Sequence, residues 1–176
     1  MSSMALKGLI LSSTGFLVSA TIGAQLAIAH DLPARFGGLL SGNDVAGDFL
    51  LVNGTALSPD LALLLAQLVL TGCALRQGWF GRVGVIGLTV LGACYTVGQL
   101  GEPITLHSLT PATFNAEPAA IAVTNIVCST AMFVFGIREW RGLGQARGGK
   151  ELGSALHTRG ARHERAQAGG GNDHRS

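Results

Sequence analysis

Apolar residues gather in four long blocks, and charged residues fall between and after them. No Asp, Glu, Lys or Arg lies between Lys7 and Asp31, between Asp60 and Arg76, between Arg82 and Glu102, or between Glu117 and Arg138. These blocks predict helices over about residues 8–29, 59–75, 83–101 and 118–137. As helices they would measure roughly 26–33 Å, matched to the ~30 Å hydrocarbon core of a bilayer. Lipid offers the backbone no hydrogen-bond partner, so an apolar run crossing it must be helical.

The stretch from Leu57 to Gly101 organises the rest. Two apolar runs flank the short polar segment Arg76-Gln77-Gly78-Trp79-Phe80-Gly81-Arg82, as in a helical hairpin. Ser58 as N-cap, Pro59 at the first helical position and Asp60 in the first turn predict where the first arm begins. Pro103 disfavours helix at the residue before it and so ends the second arm. Trp79 and Phe80 suit a position at lipid-headgroup level. A buried hairpin inside a soluble protein is the alternative; four such blocks in 176 residues argue against it.

In the first block Gly15, Ser19, Gly23 and Ala27 recur every four residues, a small-residue stripe that lets a neighbouring helix approach closely. A second reading of the same block is a signal peptide, with Lys7 as its basic start and cleavage after Ala27-Ile28-Ala29. Residues 31–57 then form a long, Gly-rich, acidic loop suited to roofing the helix ends. Within it, Phe49–Val52 and Thr55–Leu57 around Asn53-Gly54 predict a short β-hairpin. Asn115 is placed to cap the last helix, with Glu117 and Pro118 in its first turn. Residues 142–176 hold too few large apolar side chains for a core and are expected to be a disordered basic tail, with at most a weak helix over Lys150–Gln167.

Composition agrees. Hydrophobic residues make up 48% of the chain and charged residues 12%, with a mean hydropathy of +0.42. That is the membrane class. The ten arginines against two lysines hint at a GC-rich bacterial genome. Sorting charge by segment gives an orientation. Eleven of the twelve Lys and Arg residues fall with the termini and the 76–82 turn, and only Arg35 falls on the other side. Basic residues stay on the cytoplasmic side, so both termini are expected there, in the cell membrane. The other side carries Asp31, Asp44, Asp48, Asp60, Glu102 and Glu117.

The expected architecture is therefore an all-α membrane protein: an antiparallel four-helix transmembrane bundle over residues 1–141, followed by the tail. Its partners would be the bilayer, anionic headgroups for the tail arginines, and a second copy or another membrane protein on the stripe. The net charge of +2 comes without a folded basic face or a recognition motif, so nucleic acid is not a partner.

Chemistry is sparse. Cys73, Cys94 and Cys128 lie inside apolar runs without CxxC or metal-ligand spacing. No nucleophile elbow or phosphate-cradling loop is present, and nothing calls for a cofactor or metal. Gln25, His30, Tyr95, Gln99, Glu102, His107, Glu117 and Asn125 all belong to the acidic side or its rim; Gln67 alone is near mid-depth. Intramembrane polar groups are candidates for function. They could line a cavity open to the acidic side, with Glu102, Glu117, His30 and His107 as a carboxylate and imidazole cluster. The structural reading gives the amides to helix–helix hydrogen bonds and Glu117 to its helix dipole. Two function classes follow: a non-enzymatic accessory or scaffold subunit, or a small transporter or membrane enzyme using that cluster on a small solute or lipid.

Overall fold

The computed structural model describes residues 3–32, 44–51, 54–103, 105, 107, 110 and 115–168, with backbone alone beyond residue 142. Among the described residues, five helices are named in order: α1 Met4–Ala29, α2 Val45–Leu51, α3 Leu61–Ala74, α4 Trp79–Gly101 and α5 Ala116–Ala168. Among the described residues there is no strand, only an isolated bridge between Thr55 and Ser58. The chain divides into two compact units, up to Trp140 and from Arg141 onward. The second is helical as far as Ala168, so the segment expected to be a disordered tail carries helical backbone there; residues 169–176 lie outside the described part.

Among the described residues, three helices are long and apolar enough to cross a membrane: Met4–Ala29, Trp79–Gly101 and the Ala116–Gly142 part of α5. Two of the predicted boundaries move outward. Ser3 caps α1 by accepting the Leu6 amide, which adds a turn before the apolar block. α4 starts at Trp79, so half of the polar hinge is its first turn. The remaining connection is short because Gly78 takes a positive φ of 79°. At α5 the Asn115 carbonyl accepts from Ala119, opening the helix where the sequence placed its cap.

α3 corrects the prediction most. It has 14 residues, not 17. Asp60, not Ser58, is the N-cap: its Oδ1 accepts the Leu63 amide at 2.8 Å. Ser58 instead sits in a tight turn whose backbone pairs Thr55 with Ser58 in both directions, at 2.8 and 3.3 Å. The predicted β-hairpin is absent for a related reason. Asp44 caps a helix through the Gly47 amide, and Phe49–Leu51 belong to that helix, α2. Asn53 lies outside the described residues, and the reversal comes just beyond Gly54, whose φ is +68°.

Close contacts fix the register of the first unit. On α1 and α5, Gly8 meets Phe135, Gly15 meets Cys128 and Gly23 meets Ile121, so the two helices run antiparallel. On α4 and α5, Thr89 meets Gly136, Gly92 meets Ser129 and Phe133, and Thr96 bonds Ser129. On α3 and α4, Leu70 meets Gly84 and Gly87 while Leu63 accepts from Tyr95. Each pair sums to a near-constant, the signature of antiparallel neighbours. Gly92 shows how close the backbones come: a Cβ there would lie 2.8 Å from both Phe133 N and Ser129 O. The core between them is Leu9, Phe16, Ala20, Leu64, Val85, Leu88, Tyr95 and Met132, with Phe16 and Tyr95 stacked at 4.5 Å between centroids.

One end of this unit is basic and aromatic, with Lys7, Arg76, Trp79, Phe80, Arg82, Arg138 and Trp140. Trp79, Phe80 and Trp140 are all exposed. Ser3 donates to the Glu139 carboxylate there, tying the start of α1 to α5. The other end is acidic.

Candidate functional site

Polar side chains are buried beside the apolar core of the first unit, while large apolar side chains of the same helices face outward. Ser12, Ser13, Ser19, Gln67, Gln99, Asn125 and Ser129 are buried, while Leu11, Val18, Leu65, Leu68, Val69, Val90, Val97 and Val127 on the same helices are more than half exposed. A helix in water presents the opposite arrangement.

Gln67 is at the centre, fully buried on α3. Its Nε2 donates to the Ser13 carbonyl and to Ser13 Oγ, both at 3.0 Å, and reaches Met132 Sδ at 3.8 Å. Thr71 Oγ1 donates back to the Gln67 backbone carbonyl at 2.8 Å, and its contact with Ser13 Oγ is also 2.8 Å. Thr71 therefore receives the Ser13 proton, and α1, α3 and α5 are joined by one network. A second join links Thr96 of α4 to Ser129 of α5 at 2.9 Å. Thr96 shares its one hydroxyl proton between Ser129 Oγ and the Gly92 carbonyl of its own helix, and Ser129 donates to the Ile126 carbonyl.

Toward the acidic end the partners change. Asn125 of α5 is fully buried and donates from Nδ2 to the carbonyl of Leu57 at 2.9 Å. Leu57 lies in the Thr55–Ser58 turn, which is itself buried. The same Leu57 carbonyl would stand 2.8 Å from a Cβ on Gly23. The turn is thus wedged between α1 and α5, with Ala56 N bonded to Leu32 O at 3.3 Å. It occupies the space beyond the start of the short α3.

The small-residue stripe is accounted for inside the chain. Gly15 and Gly23 pack on Cys128, Ile121 and Leu57, and Ser19 and Ala27 are buried. The stripe therefore leaves little free surface for a second copy.

The candidate cluster of the acidic end divides. Gln99, Glu102 and Asn125 are buried; Gln25, His30, His107 and Glu117 are exposed. Among the described residues no three His, Cys, Asp or Glu side chains group as a metal site would. Cys73, Cys94 and Cys128 are free thiols. Tyr95 is used in packing, its hydroxyl donating to the Leu63 carbonyl at 3.3 Å. Residues 33–43 of the long acidic loop lie outside the described residues.

Sequence reasoning missed Ser13, Thr71, Thr96 and Ser129, because small hydroxyls in apolar helices usually bond their own backbone. A usable signal was present: Thr71 is one turn after Gln67 on the same face.

Among the described residues, three buried side-chain amide oxygens are left over. The carbonyl oxygens of Gln67, Gln99 and Asn125 have no hydrogen-bond partner. No family model matches this chain, and no curated protein or solved structure matches it either.

Proposed function

We propose that this chain is a multi-pass integral protein of the cell membrane, crossing it four times with both termini in the cytoplasm, and that it serves as a non-enzymatic accessory or scaffold subunit. The inverted distribution carries the reading: Leu, Val and Ile outward, Ser, Gln and Asn inward, on helices of membrane-spanning length. Soluble monomers rarely expose apolar surface so continuously. In lipid, small and polar residues are what hold helices together.

The fourth crossing is the least obvious. α3 alone measures about 21 Å against a core of ~30 Å. The buried Thr55–Ser58 turn supplies the remaining depth, and non-helical backbone is tolerated in a membrane when protein surrounds it. The basic, aromatic end belongs in the cytoplasm by the distribution of Lys and Arg, with the arginines beyond residue 140 set over anionic headgroups. The scaffold role is supported by how the buried and half-buried polar groups are used: Ser13, Gln67, Thr71, Thr96 and Ser129 link helices to one another.

Membrane fractionation with a carbonate wash tests the first part, and reporters fused after Ser176 and within residues 31–57 test the second. The chain should stay in the washed membranes, with the Ser176 reporter cytoplasmic and the loop reporter outside. A chain recovered in the soluble fraction without detergent overturns the whole reading; a C-terminal reporter on the far side overturns the orientation.

A further inference from the structure

Three buried side-chain amides among the described residues share one deficit. Gln67, Gln99 and Asn125 each leave a carbonyl oxygen without a partner, and each residue is at least nine-tenths buried. A buried acceptor left unmade is costly, and the deficit can be met only by a proton donor or a cation. Three donors of the same interior are engaged elsewhere. The Gln67 amide N–H serves Ser13 and Met132, the Thr71 hydroxyl serves the Gln67 backbone carbonyl, and the Asn125 amide N–H serves Leu57.

Register places two of the three at one depth. Thr89 faces Gly136, Gly92 faces Phe133 and Thr96 faces Ser129, so Gln99 on the same face of α4 falls level with Ile126, beside Asn125. The Thr55–Ser58 turn covers this level from the acidic end. Gln67 lies about two helical turns deeper, roughly 10 Å, since Met132 is level with Ala93.

We propose that the interior beneath the Thr55–Ser58 turn is a binding site for a small hydrogen-bond-donating or cationic species, held by the side-chain carbonyl oxygens of Gln99 and Asn125. Neutral oxygens in a low-dielectric interior reject anions and accept water, ammonium or a hard monovalent cation on the same terms. The inference rests on the membrane reading, which gives these residues their depth, and goes beyond a purely scaffolding role.

The test uses the full chain, extracted from membranes and reconstituted in nanodiscs. That step itself separates failure of the membrane reading, in which the protein needs no detergent, from failure of the site. Thermal unfolding is followed in N-methylglucamine chloride and in sodium, potassium or ammonium chloride at constant ionic strength, for the wild type, Gln99→Met and Gln99→Glu. A cation gives a saturable rise in Tm for the wild type, lost in Gln99→Met and reached at a several-fold lower concentration in Gln99→Glu. Water gives no cation dependence, a lower Tm for Gln99→Met, and water-to-side-chain NMR cross-peaks at the Gln99 and Asn125 amides. An empty interior gives no cation dependence, no such cross-peaks and a Tm for Gln99→Met equal to or above the wild type, and that result overturns the proposal.

Discussion

Two buried amides hold this protein in different ways. Gln67 joins helix to helix: its Nε2 bonds the Ser13 backbone and side chain on α1 and touches Met132 on α5. Asn125 joins helix to turn, through a single bond to Leu57 in backbone that belongs to no helix. The mid-depth region is therefore a rigid lattice of three helices with interlocked hydroxyls. The acidic end is a helix frame with an inserted turn, held among the described residues by the Asn125 side chain, the Ala56–Leu32 backbone bond and close packing against Gly23. Regions with few cross-links open first, so the two should separate in stability.

Substitutions at the two glycines that allow these contacts test the difference most severely. A side chain at Gly92 would meet the α5 backbone, which cannot yield without moving the helix. Gly92→Leu should lower global stability by about 3 kcal/mol, the upper end of the range for overpacking. A side chain at Gly23 would meet the Leu57 carbonyl and Ile121 Cγ2 instead. Because the turn can move, Gly23→Leu should speed amide exchange at Thr55–Ser58 far more than it lowers the global unfolding midpoint in detergent. Equal global losses for both would show that the turn is as integral as the helices. Since the stripe packs within the chain, neither substitution should change the oligomeric state.

Removing the amides comes next in size. Gln67→Leu loses interhelical bonds worth about 1–2 kcal/mol at most in a membrane interior, and its effect should appear in global unfolding. Asn125→Leu loses one bond, about 0.6 kcal/mol, and its effect should appear as exchange or proteolysis at the turn. If Asn125→Leu proves the more damaging to global unfolding, the division between lattice and inserted turn fails.

The same division marks what the sequence could convey. The apolar blocks were legible because a helix in lipid has to be long and uncharged, and α1, α4 and α5 all contain the blocks predicted for them. The turn was not. Ser58-Pro59-Asp60 offers two good N-caps, and the choice depends on Leu57 being buried between α1 and α5, a tertiary fact. Asn53-Gly54 suggests a hairpin, but Asp44 starts a helix just before it, and local capping prevailed over the turn signal. The candidate cluster was drawn from depth alone. Depth put seven residues together; helix face, which depth does not contain, left three of them buried and turned Gln25, His30, His107 and Glu117 outward.

The smallest expected effect concerns the surface that faces neither region. Around Gly72 on α3 and Gly98 on α4, no described atom beyond the local helix backbone lies within 4 Å of the point where a Cβ would stand, unlike Gly92 or Gly23. They are near neighbours in sequence of the exposed Val69 and Val97, on the outer side of the hairpin. If that side meets lipid, Gly98→Leu should shift stability by less than about 0.5 kcal/mol, as surface substitutions away from special features do. It should also leave Thr55–Ser58 exchange and oligomeric state as they are. Helix propensity even favours the change by a few tenths, since glycine is the poorer helix former. A large loss at Gly98, measured beside Gly92→Leu in the same detergent, would mean that another protein surface covers this face, and the partner of the proposed scaffold should then be sought on α3 and α4.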